Sequence, residues 1–123
     1  MTGSADLGLS FHTSTSGADL PMKIVDMFGC GLPVCALQFP CLSELVKSDI
    51  NGKTFTTSSE LSRHLVSLLK GFPGKFPSEL DMLKAGIRDA RYGGGREEEW
   101  CTWEENWDRN VLPVVTPRRD RFL

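Results

Sequence analysis

Lys23 and Asp26 stand three positions apart inside the run Asp19-Leu20-Pro21-Met22-Lys23-Ile24-Val25-Asp26. The run reads as the opening of a helix. Asp19 suits the N-cap, and Pro21 fits a first turn, where a missing N–H costs nothing. A lysine there works against the positive end of the helix dipole by about 0.3–1 kcal/mol. A bound anion would reverse that sign, because the free N–H groups of a helix start hold phosphates. One turn on, the Asp26 carboxylate can accept two hydrogen bonds, which suits the paired hydroxyls of a ribose. A diphosphate at Lys23 and a ribose at Asp26 together make a nucleotide site. The competing reading is a surface i,i+3 ion pair worth about 0.2–0.5 kcal/mol. Upstream, His12 could act as a general base or a phosphate donor, or face solvent. Thr13, Ser14, Thr15 and Ser16 could offer hydroxyls or form a plain loop.

The elements around these residues follow from periodicity. Residues 5–12 alternate, with Leu7, Leu9 and Phe11 on one face, and read as a strand. Residues 13–18 are small and polar, a loop. The helix runs from Asp19 to about Gly29 or Cys30, and Gly31 suits the left-handed position that ends helices. Pro33 to Leu37 is short, apolar and β-prone, a buried strand. This is the strand–helix–strand order of a parallel unit. In such sheets ligands bind beyond the carboxyl ends of the strands, which is where loop 12–21 lies.

Further on, residues 41–47 read as a second helix, Asp49-Ile50-Asn51-Gly52 as a turn, and Lys53 to Thr56 as a short strand. Thr57-Ser58-Ser59-Glu60 fits a capping box, with Leu61, Leu65, Leu68 and Leu69 behind it at helical spacing. A Pro/Gly loop over 71–77 leads to a helix over 78–91 with Leu80, Leu83 and Ile87 on one face. Tyr92 to Gly95 should be flexible. Thr102 and Glu105 fit another capping box, Trp103, Trp107 and Val111 share a stripe read as core, and Pro113 should end that helix. The expected fold is α/β: a partial Rossmann-like parallel sheet with flanking helices and a helical C-terminus.

Composition narrows the function classes. The 123 residues suit one small domain, and the net charge of -2 predicts no general attraction to nucleic acid. No apolar run approaches a membrane span, and no basic-then-apolar leader opens the sequence, so a chain in a reducing compartment is expected. The 4 cysteines form no C-x-x-C pair and the 2 histidines are far apart, so metal-ligand spacing is absent; no cofactor is expected. Reduced, mostly buried thiols are the natural reading.

The stretch PMKIVDMFGCGLPV resembles the P-x-K-x-x-E-x-x-x-x-G-x-P-V signature of GT-B glycosyltransferases that use nucleotide sugars. PCLSELVKSDINGKTF is similar to the strand–helix–turn that follows in such enzymes. The narrower likeness is to the C-terminal domain of the chitobiosyldiphosphodolichol β-mannosyltransferase family, strong over residues 3–56 and moderate over 100–115. HTSTSGADLPMK and the closing WEENWDRNVLPVV carry it. The resemblance implies a GDP-mannose donor and a dolichol-linked chitobiose acceptor on the cytosolic face of the endoplasmic reticulum. It implies Asp26 at the ribose, Lys23 and the backbone of Leu20, Pro21 and Met22 near the diphosphate and sugar, and Asp19 near the sugar. Thr13 and Ser14 join that donor set, and His12 is the weak catalytic candidate. The implied organisation is a partial GDP-sugar-binding domain over 3–92, a linker over 93–99, a closing helix over 100–115 and a tail over 116–123. Three functions are weighed. One is a transferase piece inactive alone. A second is a non-catalytic module derived from such an enzyme, associating with a full-length transferase. The third is an unrelated small nucleotide-binding protein.

Overall fold

The computed structural model describes residues 2–74, 77–91 and 103–116, which fall into two compact units, Met1–Arg88 and Asp89–Leu123. The expected linker at 93–99, the Tyr92-Gly95 segment, Thr102, Cys101 and the tail from 117 onward lie outside the described residues.

Among the described residues, the first unit holds one three-stranded parallel sheet in the order β1 (Gly8–Ser10), β2 (Val34–Leu37), β3 (Gly52–Phe55). Gly8 pairs with Val34, and Val34 with Gly52; one step on, Leu9 pairs with Cys35 and Cys35 with Lys53. Paired residues point to the same face, so the sheet has two rows to cover. β2 is central and buried at Val34, Cys35 and Ala36, as a strand covered on both faces must be.

One face carries α1 (Met22–Gly29). Ile24 and Phe28, one turn apart, are its buried residues. Gly8 lies under this helix, and a Cβ there would stand 2.6 Å from Met27 Sδ. α1 ends as expected at Gly31, whose φ is +72°. Gly31 N–H donates to the Phe28 carbonyl and Leu32 N–H to the Met27 carbonyl, both at 2.9 Å, a Schellman end. The opposite face carries α2 (Ser58–Leu69) and α3 (Glu79–Arg91). Cys35, Phe55, Leu68 and Leu83 form the core there, with Leu7, Leu37 and Leu61 packed against it. Leu80, Leu83 and Ile87 are all buried, as their spacing predicts. The capping box of α2 is complete: Glu60 N–H donates to Thr57 Oγ1 at 3.2 Å, and Thr57 N–H to Glu60 Oε2 at 3.3 Å. A second pair that the sequence reading missed does the same for α3. Ser78 N–H donates to Asp81 Oδ2 at 2.8 Å, and Asp81 N–H to Ser78 Oγ at 3.2 Å.

Five local expectations need correction. β1 buries Gly8 and Ser10, while Leu9 is 41% and Phe11 60% exposed. Their row faces α2 and α3, whose cover centres on β2 and β3 and thins out at the edge strand. The second helix does not run over 41–47: it is a short 3-10 helix, Pro40–Glu44. Asn51 takes over from it, accepting from Lys47 N–H at 2.8 Å and donating to the Leu45 carbonyl at 3.1 Å. Among the described residues the thiols are not mostly buried: Cys35 is, Cys41 is half-buried and Cys30 is exposed. Burial pushes the Cys35 thiol up to about 11. Pro113 does not end its helix. In the second unit, α4 (Trp103–Asn106) runs through a π-helical turn (Trp107–Val111) into α5 (Leu112–Val115), so helical backbone continues two residues past Pro113. Finally, the stripe is not core: Trp103 is 71% exposed and stacks on Trp107 at 5.2 Å.

An ion cluster ties β3 to α3. Lys53 Nζ lies 2.6 Å from Asp49 Oδ1 and 2.5 Å from Glu79 Oε1, and the Ser67 hydroxyl also donates to Glu79. The hydrogen bond from Lys53, then that from Ser67, holds the Glu79 carboxyl below its usual value of 4.5. Burial works against the Lys53 charge, but the bonds to Asp49 and Glu79 outweigh it and raise its pKa.

Two predictions follow from this packing. A Cβ on Gly86 would stand 1.9 Å from the Ile50 carbonyl oxygen, so α3 can approach the turn only with glycine there. Gly86→Ala should lower unfolding free energy by about 1–3 kcal/mol, read from the urea midpoint, despite alanine's better helix propensity. A depressed carboxyl stabilises the fold above its unfolded pKa and loses that contribution as pH falls through its folded pKa. Glu79 is a third exposed, so this amounts to less than about 1 kcal/mol. Lys53→Met should therefore flatten the loss of stability as urea midpoints are followed below about pH 5, and leave the slope near neutrality unchanged.

Candidate functional site

The β1–α1 connection runs over the carboxyl ends of β1 and β2, the place where open α/β sheets bind ligands. Its shape is set by contacts from within and from the β2 side. Ser14 Oγ accepts the Gly17 N–H at 2.7 Å and lies 3.2 Å from Ser16 Oγ; Ser16 Oγ accepts the Ala18 N–H at 3.3 Å. These bonds turn the chain at Gly17, whose φ of +72° favours glycine. A Cβ on Gly17 would lie 3.4 Å from the Pro40 ring, so the turn rests on the segment after β2. The His12 ring stands edge-on to Phe39, with centroids 5.7 Å apart, and Phe11 likewise meets Phe55 at 5.8 Å.

His12 and Asp19 meet. Nε2 of His12 lies 2.9 Å from Oδ2 of Asp19, across seven positions of sequence. The Ser14 hydroxyl, then His12, draws the Asp19 carboxyl below its usual value of 3.8. Asp19 is therefore not the N-cap that the sequence suggests. α1 starts at Met22, the cap residue is Pro21, and no side chain caps the helix. The Pro21 carbonyl accepts the Ile24 N–H at 3.0 Å. The first-turn N–H groups of Met22 and Lys23 make no backbone bond, and no side chain closes this start as the boxes close α2 and α3.

The remaining predicted residues are placed as follows. Thr13, Leu20, Met22, Lys23 and Asp26 are exposed, Ser14 is half-buried and Pro21 is buried. Lys23 and Asp26 are one turn apart on α1, about 4.5 Å along the axis, and no ion pair joins them. The structure thus brings His12, Ser14 and Asp19 into one cluster and sets Lys23 and Asp26 beyond it on the helix, with the open helix start between. An uncapped, solvent-facing start with a cation in its first turn can hold an anion. The sequence reading named His12 and Asp19 but missed that they pair. It also missed Phe39 and Pro40, whose only signal was a bulky pair directly after a buried strand.

The chain is 48% identical over 116 residues to a protein of Arabidopsis thaliana named UDP-glycosyltransferase TURAN, a match that takes in 94% of this chain and 23% of that protein. It is 47% identical over 115 residues to the chitobiosyldiphosphodolichol beta-mannosyltransferase of Homo sapiens, again 94% of this chain and 23% of that protein. The Candida albicans protein of the same name is 44% identical over 103 residues, with shares of 84% and 21%. The chain thus spans less than a quarter of the length of these curated relatives. No family model matches it, and no solved structure matches it.

Asp19 supplies a direct check on the loop. Ser14→Ala removes the largest of the influences that depress its carboxyl, so its titration midpoint should move upward toward the ordinary value. Carboxyl-carbon NMR shifts followed through acid pH read this; an unmoved midpoint would mean that Ser14 does not hold the carboxylate.

Proposed function

We propose, starting from the kinship of this chain with a segment of the chitobiosyldiphosphodolichol β-mannosyltransferases, that it forms the donor-binding part of a mannosyltransferase. GDP-mannose would lie over the β1–α1 loop. Its diphosphate would meet the open N–H groups of Met22 and Lys23 and the Lys23 ammonium, its ribose would meet Asp26, and its sugar would lie toward the loop. The observation that carries this reading is the uncapped start of α1, with Lys23 in its first turn, at the carboxyl end of the sheet.

The chemistry explains why such a helix start is useful. Transfer breaks the bond between the mannose anomeric carbon and the diphosphate and forms one to the acceptor hydroxyl oxygen. Negative charge gathers on the departing GDP, and fixed dipoles with a nearby ammonium stabilise it without reorganising. The acceptor, dolichol-linked chitobiose, would be held by parts of a longer protein at the cytosolic face of the endoplasmic reticulum. The chain by itself would then bind donor and turn over none, because transfer needs donor and acceptor held together. No helix among the described residues is long and apolar enough to cross a membrane. The domain layout read from sequence, with a donor part over 3–92 and a closing helix over 100–115, belongs to the same proposal.

A titration of the folded chain with GDP-mannose, followed by amide NMR, tests the reading. Shifts should map to residues 12–26, and Lys23→Ala and Asp26→Ala should each weaken binding about tenfold, or about 1.4 kcal/mol. UDP-glucose serves as the competitor, because one relative is named a UDP-glycosyltransferase. Tighter binding of UDP-glucose would replace the proposed donor. No shift with either ligand at millimolar concentration would overturn the site.

A further inference from the structure

Asp19 makes a different contact from the one its place in the sequence suggests. A carboxylate two residues before Pro21 could reach forward to the helix or out to a ligand. Instead its Oδ2 lies 2.9 Å from His12 Nε2, and the Ser14 hydroxyl draws on the same carboxyl. His12 follows β1 and Asp19 precedes α1, so their contact joins the two sides of the loop at its base. His12 is not loosely held. Phe39, itself buried, fixes the His12 ring from the β2 side, and Pro40 supports the turn at Gly17. With Asp19 engaged this way, the cap position is left to Pro21, which has no side-chain acceptor, and α1 opens without a cap.

We propose that His12 and Asp19 are a positioning pair. Their contact keeps the loop folded back so that the first-turn N–H groups of α1 stay open to the donor's diphosphate, and Asp19 acts through His12 rather than on the sugar. This rests on the donor site proposed above. It separates the two acids of the run: Asp26 is assigned to the ligand, Asp19 to the shape of the loop. An aspartate freed from His12 has two other uses, capping α1 as its sequence position suggests or reaching the ligand, and both would change donor binding. Either tautomer or charge state that carries a proton on Nε2 can make the contact, and an amide at position 12 can replace it.

The test uses the full chain in six forms: wild type, His12→Ala, His12→Gln, Asp19→Ala, Asp19→Asn and the double alanine variant. Two readouts are taken: amide hydrogen exchange across residues 13–20 without ligand, and titrations with GDP and with GDP-mannose. The His12 and Asp19 side chains are 37% and 53% exposed, and exchange at the β2 amides checks that each variant is folded. The alanine variants should exchange faster across the loop and bind both GDP and GDP-mannose about tenfold more weakly, as loss of a charge-assisted hydrogen bond predicts. His12→Gln and Asp19→Asn should restore both readouts to within about threefold of wild type. Combining the two alanine substitutions should cost no more than either alone, since each already breaks the one contact. Asp19→Ala weakening GDP-mannose while sparing GDP would place Asp19 on the sugar and overturn the proposal. Unchanged loop exchange in His12→Ala would overturn it as well. Wild type binding neither nucleotide would fail the donor reading itself, a result distinct from both, and would leave the pair without the purpose assigned to it.

Discussion

β3 can lie against β2 only because the chain at Gly52 has no side chain. A Cβ there would stand 2.5 Å from the Val34 carbonyl oxygen, and 3.1 Å and 3.2 Å from methyl carbons of Val34 and Val46. The turn that delivers Gly52 must therefore be held tightly, and Asn51 holds it. Its side chain is buried and bridges Lys47 and Leu45, taking one backbone N–H and one carbonyl that the end of the 3-10 helix leaves open. From that register, β3 presents Phe55 to the core on one face and the C-terminal end of the sheet at Thr56. Lys53, in the same row as Phe55, reaches Glu79 and ties α3 to the strand. Gly86 then lets α3 press against the turn itself. Turn, strand and helix hold one another through two glycines and one asparagine.

The consequence reaches the other end of the sheet. With β2 fixed between two partners, the segment after it, Gln38 to Pro40, has a set position: Gln38 N–H donates to the Phe55 carbonyl at 2.9 Å. Phe39 and Pro40 can then serve as a wall for the β1–α1 loop. A polar, serine-rich loop is ordinarily mobile because it buries little. Here it borrows rigidity from an aromatic ring and a proline on the neighbouring strand's exit, and from a histidine–carboxylate contact of its own. Packing in the core is thus transmitted to a surface that contributes almost nothing to the core.

Much of this was legible in the sequence, for reasons of short range. The run Val34 to Leu37 has the apolar density of a strand covered on both faces, Thr57 and Glu60 form a box three residues apart, and Gly31 marks a helix end by backbone chemistry alone. Leu80, Leu83 and Ile87 show their buried face by spacing. The misreadings arose where distance in space overrode local pattern. Leu9 and Phe11 alternate as a buried row should, but Leu9 lies on an edge strand and Phe11 just past its end, and both are exposed. Asp19 fits the N-cap by type and place, yet a histidine seven residues back takes its carboxylate. Residues 41–47 have helical composition, but Asn51 ends the turn early by offering the backbone other partners. Of the candidate site, the order of the loop and helix was readable; the pairing inside the loop was not, because nothing in the spacing of His12 and Asp19 announces it.

The three helix starts of the first unit show where stability has been placed and where it has been withheld. α2 and α3 each close with a reciprocal box, Thr57 with Glu60 and Ser78 with Asp81, and each puts an acid in the first turn, where the dipole favours it. α1 has Pro21 in place of a cap, no acid in its first turn, and a lysine there instead. Such a start forgoes about 0.5–2 kcal/mol of capping, and the misplaced cation costs about 0.3–1 kcal/mol more. An aspartate able to mend the defect stands two residues away and is turned to His12. Local rules broken together, with the remedy at hand and unused, are what a binding requirement looks like in a sequence. The residues that leave α1 incomplete are also the ones that the donor-site proposal needs: under it, the anion at the helix start is the ligand's diphosphate.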